Sequence, residues 1–438
     1  MFETLKNVFR VKEMRRKLLY LIWMIFVIRI GCQIPVPGVD SDFFKQWFSS
    51  NAGDAFNFFD AFTGGSFESM SVFALNITPY ITSSIIIQLL TIAIPALEEM
   101  HRDGEEGRKK MTAITRYVTV GLALFESAAM TIGFSRGNIV KDMNFLKGIV
   151  VVVSLTAGSA MLMWIGERIT EKGVGNGISI VLAVNIVSRI PSDMTTLYEN
   201  FIKGKTIAKG MLAACIIAVI ILFVVVLVLI LNGAERRIPV QYSRKMVGRK
   251  MMGGQSTNIP LKVNTAGVIP VIFASSIMSF PSIIAQFAGK GNGTGIGSEI
   301  LRGLSSNNWC NPSQIQYSWG LIVYVVLCVF FAYFYTSITF NPIEVADNLK
   351  KAGGVIPGIT PGKSTSEYLN KILNYIVFIG AVGLLIIALI PIMCTGFFNA
   401  SVSFGGTSII IIVGVIIETL KQIESQMRVR YYKGFLND

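Results

Sequence analysis

Apolar runs of membrane-spanning length recur along this chain, near residues 18 to 34, 74 to 95, 117 to 134, 145 to 165, 178 to 190, 211 to 231, 266 to 288, 317 to 338, 373 to 393 and 404 to 420. A bilayer core takes about 20 apolar residues in helix, and only helices or closed barrels cross it, because backbone polar groups there find no water. Ten such runs predict an all-α polytopic membrane protein with ten transmembrane helices. The chain is 52% hydrophobic and 15% charged over 438 residues, a balance foreign to a single soluble core. The run at 178 to 190 reaches only about 20 Å as a helix, so it has to extend into its polar flanks, tilt, or stay re-entrant.

An even number of spans puts both termini on one side, and the basic residues test this. Of the 39 Lys and Arg, 28 fall before residue 18, in 96 to 116, 166 to 177, 232 to 265 and 341 to 372, and after 417. The opposite side holds 10, and Arg29 lies inside the first run. The positive-inside rule therefore places both termini in the cytoplasm. The basic start Arg15-Arg16-Lys17 before LLYLIWMIFVIRIGC has the outline of a signal peptide ending in a lipid-modified Cys32. Arg29 interrupts the apolar approach and no small-residue cleavage site follows, so the segment reads as the first span.

Several chemistries lack their residues. The cysteines (Cys32, Cys215, Cys310, Cys328, Cys394) show no paired spacing, and His101 is the only histidine, in the charged stretch EEMHRDGEEGRKK. Neither a metal site nor a disulfide framework is expected. The stretch GITPGKST from Gly358 has three residues between its glycines where a phosphate-cradling loop needs four, and Pro361 within it and Pro357 before it lack N–H donors. No nucleotide is expected on this chain. Ion-coupled carriers place ionisable residues in their spans; here Glu126 is the clearest, with Arg29, Glu167 and Glu418 near span ends.

Two spans are interrupted. The second has Asn76, Thr78 and Pro79 near its start, preceded by the half-span NFFDAFTGGSFESM from Asn57; the seventh has Pro270, Ser275, Ser276 and Pro281. Proline frees carbonyls that neighbouring polar groups must satisfy, and non-helical backbone at membrane depth lines a cavity or is buried in protein. Composition alone favours helix packing over a pathway here. Ile77 and Ile81 are four apart and share a helix face, which suits a hydrophobic constriction as well as it suits core or lipid packing. The loop from Arg236 to Lys262 carries seven basic residues and suits an anionic partner, or simply the membrane surface.

The segments FALNITPYITSSIIIQLL, WIGERITEKGVGNGISI, QSTNIPLKVNTAGVIPVIFASS, FNPIEVADNLKKAGGVIPGITPG and FGGTSIIIIVGV together closely resemble the SecY family, the channel subunits of the Sec translocon, from about residue 10 to the C-terminus. The resemblance implies an hourglass pore between two pseudo-symmetric inverted halves. Residues 1–17 are then a basic cytoplasmic N-terminus, 18–190 the first half, 191–210 an external hinge loop, 211–420 the second half and 421–438 a cytoplasmic tail.

It further implies a plug at about 57–70, with Phe58, Phe59, Phe62, Gly64, Gly65 and Phe67, hinged at the glycine pair. A pore ring falls on Ile77, Ile81, Ile178, Leu182, Ile272 and Ile411. A lateral gate falls on Pro79, Ser83, Ser84 and Gln88, with Glu126, against Ser275 and Ser276. Glu126 stands where the family often has an uncharged polar residue. The docking surface for a motor ATPase (SecA) or the ribosome falls on loops 232–265 and 341–372, with Arg244, Lys245, Arg249, Lys250, Lys350, Lys351 and Lys363. Thr360 replaces an arginine of the family motif, and a lysine such as Lys363 lacks the planar fork of that arginine.

The function so implied is a protein-conducting channel of the bacterial plasma membrane, without cofactor or catalysis. SecE, SecG, signal-bearing polypeptides and anionic lipids are the partners expected with it. A small-solute secondary transporter and an insertase without a through-pore are the alternatives.

Overall fold

The computed structural model describes residues 11–51, 60, 63–136, 144–203, 207–242, 245–247, 250–252, 256–287, 296–305, 308–310, 315–398 and 406–434. The first half contains α1 (Lys12–Gly31), α2 (Ser41–Asn51), α3 (Thr78–Ala93), α4 (Pro95–Arg102), α5 (Gly104–Arg136), α6 (Phe145–Lys172) and α7 (Gly177–Phe201). The second contains α8 (Ile207–Gly233), strands β1 (Glu235–Tyr242), β2 (Lys245–Val247), β3 (Lys250–Met252) and β4 (Ser256–Lys262), then α9 (Ile269–Phe287) and α10 (Ile296–Leu304). It continues with α11 (Trp319–Thr339), α12 (Pro342–Lys351), β5 (Gly354–Val355), α13 (Lys363–Phe398) and α14 (Gly406–Gly434). Each of the ten apolar runs is overlaid by a helix. Six helical stretches among the described residues are long and apolar enough to cross a membrane by themselves.

Local chemistry sets the helix starts. Asn144, Asn176 and Asn341 each accept a backbone N–H in the first turn of α6, α7 and α12, supplying partners to donors that lack one. Pro79 was expected to kink the second span; instead it sits in the first turn of α3, where its missing N–H costs nothing. The stretch Phe73 to Ile77 ahead of it is turn, with Asn76 at φ +52°. Pro281 does lie inside a helix, α9. The short fifth run is resolved by extension: α7 runs for 25 residues, about 37 Å, through Pro191 to Phe201. The stretch 191–210, expected from sequence as a loop, is helical from 191 to Phe201 in α7 and again from Ile207 in α8.

The helices pack as two groups with repeating neighbours. In the first half α1 meets α6 and α7, α3 meets α5, α5 meets α6, and α6 meets α7. In the second, α8 meets α13 and α14, α9 meets α11, α11 meets α13, and α13 meets α14. Every pair in one list has its counterpart five spans on. Five spans per half is odd, so the second half starts from the opposite membrane face and the repeat is inverted. The halves touch through α7 with α8 and α14 along one side, and through α5 with α9 along another.

The start of α1 packs against α14. Met14 of α1 and Ile423 of α14 share a buried cluster with Val174, and Lys17 Nζ donates to Gln426 Oε1 at 3.0 Å. One departure from an all-helical reading is local. The basic loop forms an antiparallel sheet of order β4-β1-β5 and a separate hairpin β2-β3. Along β1, Ile238 and Val240 alternate inward with exposed Arg237, Pro239 and Gln241, the period expected of a half-buried strand. The inward face packs on Leu349, Ile356, Leu369, Ile372 and Ile376. The two loops singled out from sequence are therefore one small α/β platform with its own core.

Candidate functional site

Where the two halves meet, an aliphatic cluster is assembled from four spans. Leu182 and Ile186 of α7 and Ile411 of α14 are buried, with Ile81 of α3, Ile272 of α9, Val268, Ile412 and Val415 packed against them. Four of the six expected ring residues are thus brought together. Ile77, fully buried, and Ile178 belong to an adjoining cluster with Ile28, Leu162, Ile165, Ile169 and Ile180, and Ile81 packs on both. Ile77 is the N-cap of α3 rather than a residue inside it, which turns it into the first half's core. Ile186 and Val268 were missed from sequence. Ile186 carried a usable signal, being one helical turn beyond Leu182.

On the plug, Phe58, Phe59 and Phe62 lie outside the described residues. Gly64 and Gly65 adopt φ of +67° and +84°, a region that glycine enters freely. Phe67 does not meet the ring cluster. It is buried with Val36, Phe44, Met70, Leu75, Met130, Phe134 and Leu155, its ring edge-on to Phe44 at 6.0 Å. The following strand-like stretch is anchored by Val36 N–H to Met70 O at 3.0 Å and Val72 N–H to Ile34 O at 2.9 Å.

Of the gate residues, Ser83 turns away from α9: it is buried and its Oγ lies 2.5 Å from Thr119 Oγ1 of α5. Ser84 and Gln88 are half-buried, Ser275 is buried beside α11 and Ser276 is exposed. The contact between α3 and the second half runs instead through apolar Ile81 and Ile85. Glu126 is half-buried on α5, the helix that touches α9.

Behind the cluster lies a polar network that sequence reading did not assemble. Asn185 Nδ2 donates to Asn76 Oδ1 at 2.9 Å, Ser159 Oγ donates to Asn76 O at 3.1 Å, and Arg29 Nη1 donates to Asn185 Oδ1 at 3.1 Å. These groups satisfy the irregular backbone before α3 inside the bundle.

Among the docking residues, Arg244 and Arg249 lie outside the described residues, while Lys245 and Lys250 fall in β2 and β3. Lys350 and Lys351 are exposed in the last turn of α12, where cations suit the helix dipole, and Lys363 opens α13. Thr360 donates its Oγ1 hydrogen to Ser364 Oγ at 3.0 Å and accepts from Thr365 at its carbonyl, so it helps close the start of α13.

Apolar helices in two groups with repeating neighbours, meeting at an aliphatic cluster, define a polytopic membrane protein. The family model for SecY matches residues 71–420, and the chain belongs to the SecY family. It is 44% identical to the protein translocase subunit SecY of Streptomyces galbus and 40% to that of Halalkalibacterium halodurans, over 100% of each chain. Among solved structures it is similar to one described as the structure of a protein conducting channel, with TM-score 0.64, 16% identity and coverage of 94% of this chain and 92% of that one. It is also similar to Sec61 in the canine ribosome-channel complex, with TM-score 0.58, 15% identity and the same coverage. Its function is that of a protein-conducting channel.

Proposed function

We propose that this channel passes unfolded polypeptide outward across the bacterial plasma membrane, seals around it at the aliphatic cluster, and releases apolar segments sideways between α3 and α9. The observation that carries the reading is the cluster itself, which takes branched side chains from both halves. Such a constriction excludes ions by dewetting yet yields to a larger solute. The chain supplies no catalytic chemistry and no bound nucleotide; energy comes from SecA or the ribosome.

Both termini are cytoplasmic, as the basic-residue bias and the shared packing of α1 with α14 support. SecE and SecG complete the complex. An apolar groove of about 540 Å³ between α1, α7 and α14, lined by Leu21, Ile25, Ile180, Val184, Val415 and Ile416, suits a helix of SecE. Purified complex with SecA, ATP and a signal-bearing polypeptide is expected to move that polypeptide into proteoliposomes. Solute uptake on an ion gradient without the motor would favour a transporter instead.

Docking falls on the α/β platform. Joint replacement of Arg249, Lys250, Lys350 and Lys351 by glutamate is expected to weaken SecA or ribosome binding at least about ten-fold at physiological salt, where charges act over about 8 Å. Membrane insertion of the channel should be unchanged. Co-sedimentation measures it, and parental binding would refute the platform's role.

A further inference from the structure

The segment that begins at Asp60 is tied to α7 by charge. Asp60 has no exposed surface, and its carboxylate forms an ion pair with Arg189 Nη1, whose side chain is 18% exposed. The same carboxylate accepts from Glu68 N–H at 2.9 Å and from Thr63 Oγ1 at 3.3 Å, so Asp60 folds the segment onto itself as it binds Arg189. Glu68 places its Oε2 3.8 Å from the same guanidinium nitrogen. Beside the pair, Ser188 Oγ donates to Gly64 O at 3.4 Å and accepts from Arg29 Nη1 at 2.8 Å. Gly64 lies so close to α7 that a Cβ on it would stand 2.5 Å from Asn185 O. One turn further along α7, buried Asp193 also acts on Arg189.

We propose that Arg189 with Asp60 and Glu68 is an ionic latch that holds Asp60 and the stretch Thr63 to Met70 against α7 and sets the threshold for opening the channel. The proposal rests on reading that segment as the plug. A buried pair cannot simply separate, because each partner would be left charged without compensation. Departure of the segment therefore needs a second partner for Arg189, and Asp193 supplies it from the same helix. Arg189 is thus positioned between a closed-state carboxylate pair and an open-state one. Arg29 does not compete, being held by Asn185 and Ser188.

The two sides of the latch have opposite expected signs, which separates it from a merely structural ion pair. In proteoliposomes, Arg189→Gln and Asp60→Asn should each raise resting ion leak about ten-fold, a shift of about 1.4 kcal/mol in the closed-to-open balance. Arg189→Lys, which keeps the charge, should leak far less than Arg189→Gln. Glu68→Asn should have a smaller effect, since Glu68 is more exposed and more distant. Asp193→Asn should leave the leak at parental level and reduce export of a reporter with a weakened signal sequence several-fold. Parental leak in both Arg189→Gln and Asp60→Asn, or an increased leak in Asp193→Asn, would overturn the latch. Deletion of residues 60–70 tests the plug reading separately: a deletion channel that translocates without leaking would refute the plug and leave the channel.

Discussion

Asparagine at Ile411 is expected to leave the resting channel permeable to ions and to allow export of polypeptides with defective signal sequences. Ile411 is 2% exposed and lies against Leu182 and Ile186, so its side chain faces the aliphatic cluster and not the lipid. An amide there is set among aliphatic side chains, and burying it unpaired costs roughly 1–3 kcal/mol, which is relieved by admitting water. Water is what a dewetted constriction must exclude. Ile272→Asn and Ile81→Asn should act in the same direction but more weakly, because both side chains are only partly buried. Ile411→Val, which keeps the branched apolar shape, should retain the seal and lose about 0.5–1.5 kcal/mol of stability. Ion flux from vesicles under a membrane potential measures the first effect. A tight seal in all three asparagine variants would remove the cluster from the permeation path.

Most of the fold was legible because bilayer physics leaves few options. Apolar length marked the runs that helices overlay, and Met14 of α1 shares a buried cluster with Ile423 of α14. What remained hidden was decided by contacts distant in sequence. Nothing local in ERRIPVQY announces a sheet, because β1 becomes a strand by pairing with β4 and β5 and by burying Ile238 and Val240 on α12 and α13. Pro79 was misplaced for a related reason. A proline reads equally well as a kink or as a first turn, and only the turn structure at Phe73 to Ile77 settles which.

The site divides in the same way. The spacing of Ile77 and Ile81 suggested one shared face in the second span, but isoleucine is too common in spans for spacing alone to choose a pore over packing. The family motifs made that choice. The polar partners were less accessible: Asn76 with Asn185, and Asp60 with Arg189, are separated by more than one hundred positions and meet only when α7 lies beside the segment before α3. Ser83 shows the reverse error. It lies on α3, the span expected to line a gate, while its bond to Thr119 directs it to α5.

Gly158→Ala should be the most damaging of the glycine-to-alanine changes in α6. Gly158 lies in the small-residue run SLTAGSA of α6, and a Cβ there would stand 1.9 Å from Val72 O and 2.8 Å from its carbonyl carbon. Backbone cannot rotate away as a side chain does, so the stretch Ser71 to Ile77 has to move by roughly 1.5 Å to restore ordinary contact. Such a movement strains Val72 N–H to Ile34 O and Ser159 Oγ to Asn76 O, the bonds that hold this stretch on both sides. The overpacking cost is about 1–3 kcal/mol, which exceeds the roughly 1 kcal/mol that alanine contributes in helix propensity. Gly148 in the same helix is the matched control: its added Cβ would meet only Thr131 Cγ2 at 3.8 Å. Thermal unfolding in detergent should therefore show Gly158→Ala less stable than the parent and Gly148→Ala equal or more stable. Because the displaced stretch joins the segment proposed as a plug to α3, Gly158→Ala should also leak in proteoliposomes where Gly148→Ala does not. Equal stability and equal leak in the two variants would show that the stretch before α3 is not held against α6.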